Sequence, residues 1–346
     1  MGRSVRTGLP GARRALALVP AALVLAGCGG KEQNALSPDS HQARDIADLF
    51  WWMMGGAWIG LAIVVALLML AWKRRNRRGL GADTEGDKPG ERAGWAVVLV
   101  MGIAVPIVVL SALFVISDVF VIKTTEAPAA GSTERTVLVI GHQFWWEVRY
   151  PGTPVVTANE IHIPARTHVR LEVRTDDVIH DFWVPELNRK IDTIPHKTNA
   201  IELYADEPGR YRGECAEFCG LQHAHMGLYV FADPRPRFER WLARESRPAE
   251  SPSGAEASRG RADFLHGTCS TCHAIRGTDA RANVGPDLTH VASRTTLGAL
   301  TIPNGERELT NWISHSQRFK PGNQMPNIDL QPDDLRAVVA YLQGLK

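Results

Sequence analysis

Residues 213–226 read Gly-Glu-Cys-Ala-Glu-Phe-Cys-Gly-Leu-Gln-His-Ala-His-Met, placing Cys215, Cys219, His223 and Met226 in one short stretch with Glu217 between the thiols. Soft sulfur beside imidazole favours copper or zinc, and the added thioether leans toward copper. A further imidazole is available from His180, inside Asp177-Val178-Ile179-His180-Asp181-Phe182-Trp183-Val184-Pro185. Singly, each residue has an ordinary alternative, a Met in a core or a His on a surface. Together they read as a metal centre that moves electrons.

A second constellation is Cys269-Ser270-Thr271-Cys272-His273. C-x-x-C-H is the attachment motif of a c-type haem, whose vinyl groups take the two thiols while His273 becomes the proximal ligand. A zinc site would need another ligand pair at short spacing, and none follows. A redox dithiol would expect a βαβ context, whereas this region reads as all-helical. The sixth ligand is expected from Lys320-Pro321-Gly322-Asn323-Gln324-Met325-Pro326, which offers Met325; a Met/His pair raises the haem potential. His290 and His315 are the other candidates, the latter in a helical stretch and read as a surface residue.

Several elements must position these groups. The 346-residue chain is long enough for two or three cores, and its net charge of +2 gives no sign of a nucleic-acid partner. The five cysteines, Cys28 included, are an odd set and do not form a disulfide framework. Residues 1–28 combine Arg3, Arg6, Arg13 and Arg14 with a short apolar run ending at Gly27-Cys28, a secretory signal peptide. Uncharged runs from Leu49 to Trp72 and from Ala93 to Ser117 are each long enough to span a bilayer, and Pro106 should kink the second. The Lys73-Arg74-Arg75-Asn76-Arg77-Arg78 cluster places the loop between them in the cytoplasm, so both ends of the hairpin (residues 48–123) face outward.

Short β-branched and aromatic runs follow in residues 133–245: Thr136–Tyr150, Glu160–Pro164, His168–Thr175, Ile179–Val184, Ala200–Ala205, Gly209–Gly213 and Gly227–Ala232. Even spacing of short strands predicts a β-sandwich or barrel, with the metal-rich stretch in the loop before the last strand. Residues 246–259, rich in Pro, Ser, Ala, Glu and Gly, read as a tether. Residues 260–346 read as helical over Gly260–Cys269, Glu306–Ser316 and Asp333–Leu345.

With these motifs assembled, the chain resembles subunit II of the haem–copper cytochrome c oxidases, and with its appended cytochrome that of the caa3 type. The resemblance rests on Cys215-x-Glu217-x-Cys219, His223, Met226 and His180 after two spans, and covers nearly all of residues 28–346. It implies a two-helix transmembrane hairpin, an all-β cupredoxin-like sandwich and an all-α class I cytochrome c domain, in which Gly285-Pro286-Asp287-Leu288 resembles the turn packed on the haem. It further implies a dinuclear copper (CuA) centre bridged by Cys215 and Cys219. His180 and His223 would each cap one copper, and Met226 and the Glu217 carbonyl would be weak axial ligands. The Glu217 side chain would bind Mg or Mn at the boundary with subunit I, a hard ion suited to carboxylate.

Implied partners are subunit I, subunit III, an upstream donor such as the bc complex or a cytochrome c, and membrane lipids. The setting would be the bacterial inner membrane, with both soluble domains periplasmic. Leu25-Ala26-Gly27-Cys28 resembles a lipobox, implying lipid on Cys28. Gly141-His142-Gln143-Phe144-Trp145-Trp146 resembles the family's aromatic strand over the copper site, but Phe144 stands where many relatives have the Trp that receives electrons. A tethered haem would relieve the need for that Trp, whereas ordinary packing would make Phe144 core. His225 is read as a surface residue or one behind the ligands. Glu91 lies within about a residue of the family's carboxylate at the mouth of a proton channel; otherwise it is a solvated loop charge. A CuA-containing nitric oxide reductase and a membrane-anchored carrier without a catalytic partner are the competing functions. A quinol oxidase subunit of this fold lacks the copper ligands that this chain has.

Overall fold

The computed structural model describes residues 32–78 and 89–346. The signal segment with Cys28 and the side chain of Glu91 lie outside the described residues. The first long helix, His41–Arg78, contains a 36-residue candidate membrane span, His41–Asn76, which rises about 54 Å against a hydrocarbon core of roughly 30 Å. The surplus lets its amino-terminal turns leave the bilayer and reach the β domain. Ser40 Oγ caps the helix by accepting from Ala43 N (3.0 Å) and donates to the Leu187 carbonyl; Gln42 pairs with Glu202 and Arg44 with Asp206. The second apolar helix runs over Gly94–Thr125. Its expected kink is a π-turn, Val100–Ala104, just before Pro106: proline has no N–H for the α ladder, and the wider turn absorbs the mismatch. Arg189 Nε donates to Thr125 Oγ1 (3.0 Å), so both ends of the hairpin meet the β domain.

That domain is two five-stranded sheets, ordered β3-β2-β1-β5-β8 and β4-β10-β9-β6-β7. The first contains β1 (Arg135–His142), β2 (Trp145–Arg149), β3 (Val156–Ala158), β5 (Val169–Thr175) and β8 (Asn199–Leu203). The second contains β4 (Glu160–Pro164), β6 (His180–Trp183), β7 (Ile191–Thr193), β9 (Gly209–Cys215) and β10 (Gly227–Asp233). Alternation along β5 sends Val169, Leu171 and Val173 inward, where they meet Ile161, Phe182 and Val230 from the facing sheet. Each such side chain contributes about 1.5–3 kcal/mol by leaving water.

Residues 136–150 form a hairpin rather than the single strand their uninterrupted β-forming composition predicts. Its turn, Gln143–Phe144, is fixed by distant partners: Asp177 Oδ2 accepts from Gln143 N (2.6 Å), and Gln143 Nε2 donates to the Cys219 carbonyl (2.6 Å). The amphipathic helix Arg235–Glu245 and strands β3 and β7 are additions to the expected elements.

The carboxy-terminal domain is built from helices Ala255–His266, Glu306–Phe319 and Pro332–Gln343 around Phe264, Ile275, Leu309, Ile313, Val338 and Leu342. Residues 255–259, expected to be tether, are already helix, because Ala255-Glu256-Ala257 are good helix formers behind Gly254. Ala249 N also donates to the Arg276 carbonyl (2.9 Å), so the connection is pinned to the domain it carries.

Candidate metal centre and haem cleft

Strand β6 delivers His180 at its first residue, β9 ends on Cys215, and the turn from Ala216 to Met226 returns the chain to β10. Gly220 lets that turn close: its φ of +127° suits glycine, and a Cβ there would press at 3.1 Å on Gln143 and Phe144. The six expected donors converge. Cys215 Sγ lies 3.9 Å from Cys219 Sγ, 3.9 Å from His180 Nδ1 and 3.2 Å from the Glu217 carbonyl. Cys219 Sγ lies 3.8 Å from His223 Nδ1 and 3.9 Å from Met226 Sδ. The Glu217 side chain is exposed, away from the sulfurs, with Phe218 exposed beside it.

The electrostatics prepare the sulfurs for a cation. The hydrogen bond with Cys219, opposed by burial and helped by His180, draws the Cys215 thiol down to about 3, while the same bond and burial push Cys219 up. Both sulfurs would bind a metal as thiolates, so loading the site would release their protons. Burial pushes His180 down, but its bonds to Asp177 and Cys215 outweigh this and raise it. Asp177 Oδ1, 2.8 Å from His180 Nε2, sets the ring so that Nδ1 faces sulfur. Two buried sulfurs flanked by two imidazole nitrogens, a thioether and a carbonyl suit copper and leave nothing for a hard ion inside the cluster.

Cys269, Cys272, His273 and Met325 line a cavity of about 300 Å³ with an apolar floor including Phe264, Leu309 and Ile313. His273 Nδ1 sits 2.8 Å from the Pro286 carbonyl, which leaves Nε2 for an iron ligand. Gly285 is required beside it, since a Cβ would lie 2.6 Å from His273 Cε1. The Met325 backbone is held by Asn323 Oδ1, which accepts from its N–H (2.7 Å), and by Ser316 and Gln317, which donate to its carbonyl (both 2.7 Å). These residues fit a haem attached through two thioethers. His290 does not line the cavity; its ring nitrogens bond the carbonyls of Lys346 (2.8 Å) and Arg247 (3.0 Å), and His315 is exposed.

The cavity is also lined by Gln143, Phe144 and Trp145 of the β-sandwich, so the cleft opens on the hairpin that overlies the metal loop. Phe144 is 6% exposed and belongs both to the core and to that wall. His142 stacks on Trp145 at 4.5 Å and His225 is exposed. The sequence reading passed over Asp177, Gln143 and Lys320. Asp177 had a signal, three residues before a candidate ligand; Lys320 had none, because nothing local shows that its ammonium is buried.

A sandwich with a sulfur–imidazole loop, anchored by a helical hairpin and facing a c-type haem cleft, defines a membrane-bound metalloprotein subunit of the cupredoxin class. Residues 154–232 match the family described as cytochrome c oxidase subunit II, periplasmic domain, and residues 257–346 match cytochrome c. The chain is 33% identical over 341 residues to cytochrome c oxidase subunit 2 of Alkalihalophilus pseudofirmus, covering 97% of each chain. It is 27% identical to the subunit 2 of Bacillus subtilis, covering 96% of each. The solved periplasmic domain of subunit II (CoxB) of Bradyrhizobium japonicum shares 27% identity, with 33% of this chain covering 95% of that one at a TM-score of 0.32. The chain belongs to the cytochrome c oxidase subunit 2 family and carries a fused cytochrome c domain. It is a subunit of the oxidase complex, with a copper site in its β domain and haem c in its helical one.

Proposed function

We propose that this chain is the electron-input subunit of a respiratory terminal oxidase. Electrons would pass from its own c-type haem to a dicopper CuA centre and on to subunit I, where oxygen is reduced to water with proton pumping. Held in a rigid site, two coppers sharing one electron would allow transfer with little reorganisation. Cys215 and Cys219 would hold the metal as thiolates, with His180, His223, Met226 Sδ and the Glu217 carbonyl completing the donor set. Cys269 and Cys272 would carry the haem, and His273 and Met325 would supply its iron ligands. The exposed Glu217 carboxylate would reach subunit I and hold Mg or Mn there.

The two soluble domains would be periplasmic at a bacterial inner membrane, with subunit III as a further partner and the bc complex or a cytochrome c as donor. Cys28 would carry lipid, which mass spectrometry of the mature amino terminus reads directly. The reduction of oxygen would belong to subunit I.

The observation that carries this reading is the convergence of six donors on one sulfur pair 3.9 Å apart. The purified, metal-loaded chain is expected to show a c-type haem spectrum and a mixed-valence dicopper EPR signal. A mononuclear copper signal would refute the assignment.

A further inference from the structure

Lys320 sits in the Met325 loop, yet its side chain leaves its own domain. It is 2% exposed, and Nζ donates to the carbonyls of Phe144 (2.7 Å), His225 (2.7 Å) and Gly298 (2.8 Å). Phe144 belongs to the β1–β2 turn and His225 immediately precedes Met226; only Gly298 is in the cytochrome domain. Three N–H donors meet three oxygens, and among the described residues no carboxylate pairs with the ammonium. Burial pushes the amine down to about 7, so keeping a cation here is costly, and only a complete set of acceptors offsets that cost. An apolar side chain of the same length would cover as much surface. What the cation adds is register, because its acceptors exist together at one relative position of the two domains.

Neighbouring contacts agree with a shaped interface. Gln222 Nε2 donates to the Pro321 carbonyl (2.7 Å), and Gly227 N donates to that of Ala299 (3.3 Å). Glu160 Oε1 accepts from Thr295 N (2.7 Å). Leu300 fills the space that glycine leaves at 227, where a Cβ would be 2.9 Å from its Cδ1.

We propose that Lys320 is a docking key: gripped by the carbonyls of Phe144 and His225, it sets the register in which the haem cleft opens on Gln143, Phe144 and Trp145. The docking rests on geometry alone; only its consequence for electron transfer rests on the function proposed above.

Hydrogen–deuterium exchange on the purified full-chain oxidase complex tests it, comparing wild type with Lys320→Met. The amides of Gly227 and Thr295, whose acceptors lie in the opposite domain, are expected to exchange about tenfold faster or more, with β5 and helix Pro332–Gln343 unchanged. Haem-to-copper transfer after photoreduction of haem c is expected to slow by about tenfold or more, since small misplacements are costly. Should the Met variant lose its haem absorbance, Lys320→Gln is read the same way, its shorter amide being unable to span three carbonyls. Unchanged exchange at Gly227 and Thr295 in a haem-loaded variant overturns the proposal. Faster exchange with unaltered transfer keeps the docking key but removes its consequence for electron transfer, whereas absence of haem-to-copper transfer in the wild type would refute the route itself.

Discussion

Asp177 does for His180 what, among the described residues, none does so directly for the other imidazole. Its carboxylate receives Gln143 N at 2.6 Å and Val178 N at 2.6 Å while facing His180 Nε2, so it is itself fixed by two backbone donors. Burial pushes its pKa up, but the His180 bond and these N–H groups outweigh this and lower it, which keeps the anion in place. Asp177→Asn preserves shape and removes the charge that makes the ring a better donor. Copper affinity, measured by competition with a chelator, is expected to fall about tenfold, with far-UV circular dichroism unchanged. Unaltered affinity would mean that the sandwich alone orients the ring. The ligands differ in legibility for a physical reason. Cys215, Cys219, His223 and Met226 lie within one turn, so their spacing is itself the geometry. His180 comes from another strand, so the sequence offered it as a candidate imidazole without fixing its place beside the sulfurs. Lys320 acts across two domains, and no local pattern records that.

Elements divide in the same way. The alternation in residues 168–175 predicts β5 because one face of that strand is buried along its whole length. The run 136–150 hides a turn because that turn carries no glycine or asparagine signal and is held by Asp177 and Cys219 instead. The helix Arg235–Glu245 escaped because flanking prolines and arginines mask the spacing of Phe238, Trp241, Leu242 and Glu245, which are its buried face. In the cytochrome domain the crossing of helices Ala255–His266 and Pro332–Gln343 depends on one missing methyl: a Cβ at Gly260 would lie 1.8 Å from the Ala337 carbonyl oxygen. A backbone atom cannot swing aside, so Gly260→Ala must part the helices. A loss of about 3 kcal/mol is expected, read as a lower denaturant midpoint of the haem absorbance, while the β-sandwich transition stays put. A midpoint unchanged within error would show that the crossing has slack.

At the scale of the whole molecule, each soluble domain closes its own hydrophobic core, one within residues 137–242 and the other within residues 264–345, so neither needs the other to fold. What joins them combines close apolar contacts such as Leu300 at Gly227 with specific polar ones. Arg276 Nη2 donates to the Arg247 carbonyl (2.8 Å) and His290 Nε2 meets the same oxygen (3.0 Å), which staples the start of the connection to the haem domain. The connection therefore spans only the gap between Glu245 and Ala255, and the haem cleft meets Phe144 without searching. A short flexible link already gives an effective concentration on the order of 1 mM, and the staples can only raise it. Against roughly 10 µM of added soluble cytochrome c, docked donor would fall about a hundredfold once the fused domain is gone. An oxidase assembled with a chain lacking residues 246–346 is expected to consume oxygen at about one per cent of the intact rate under those conditions, with the EPR signal of its copper site retained. If it oxidised free cytochrome c at the full rate, Phe144 would be an adequate receiving surface by itself. The fused domain would then be a convenience rather than the reason this chain manages without a Trp at that position.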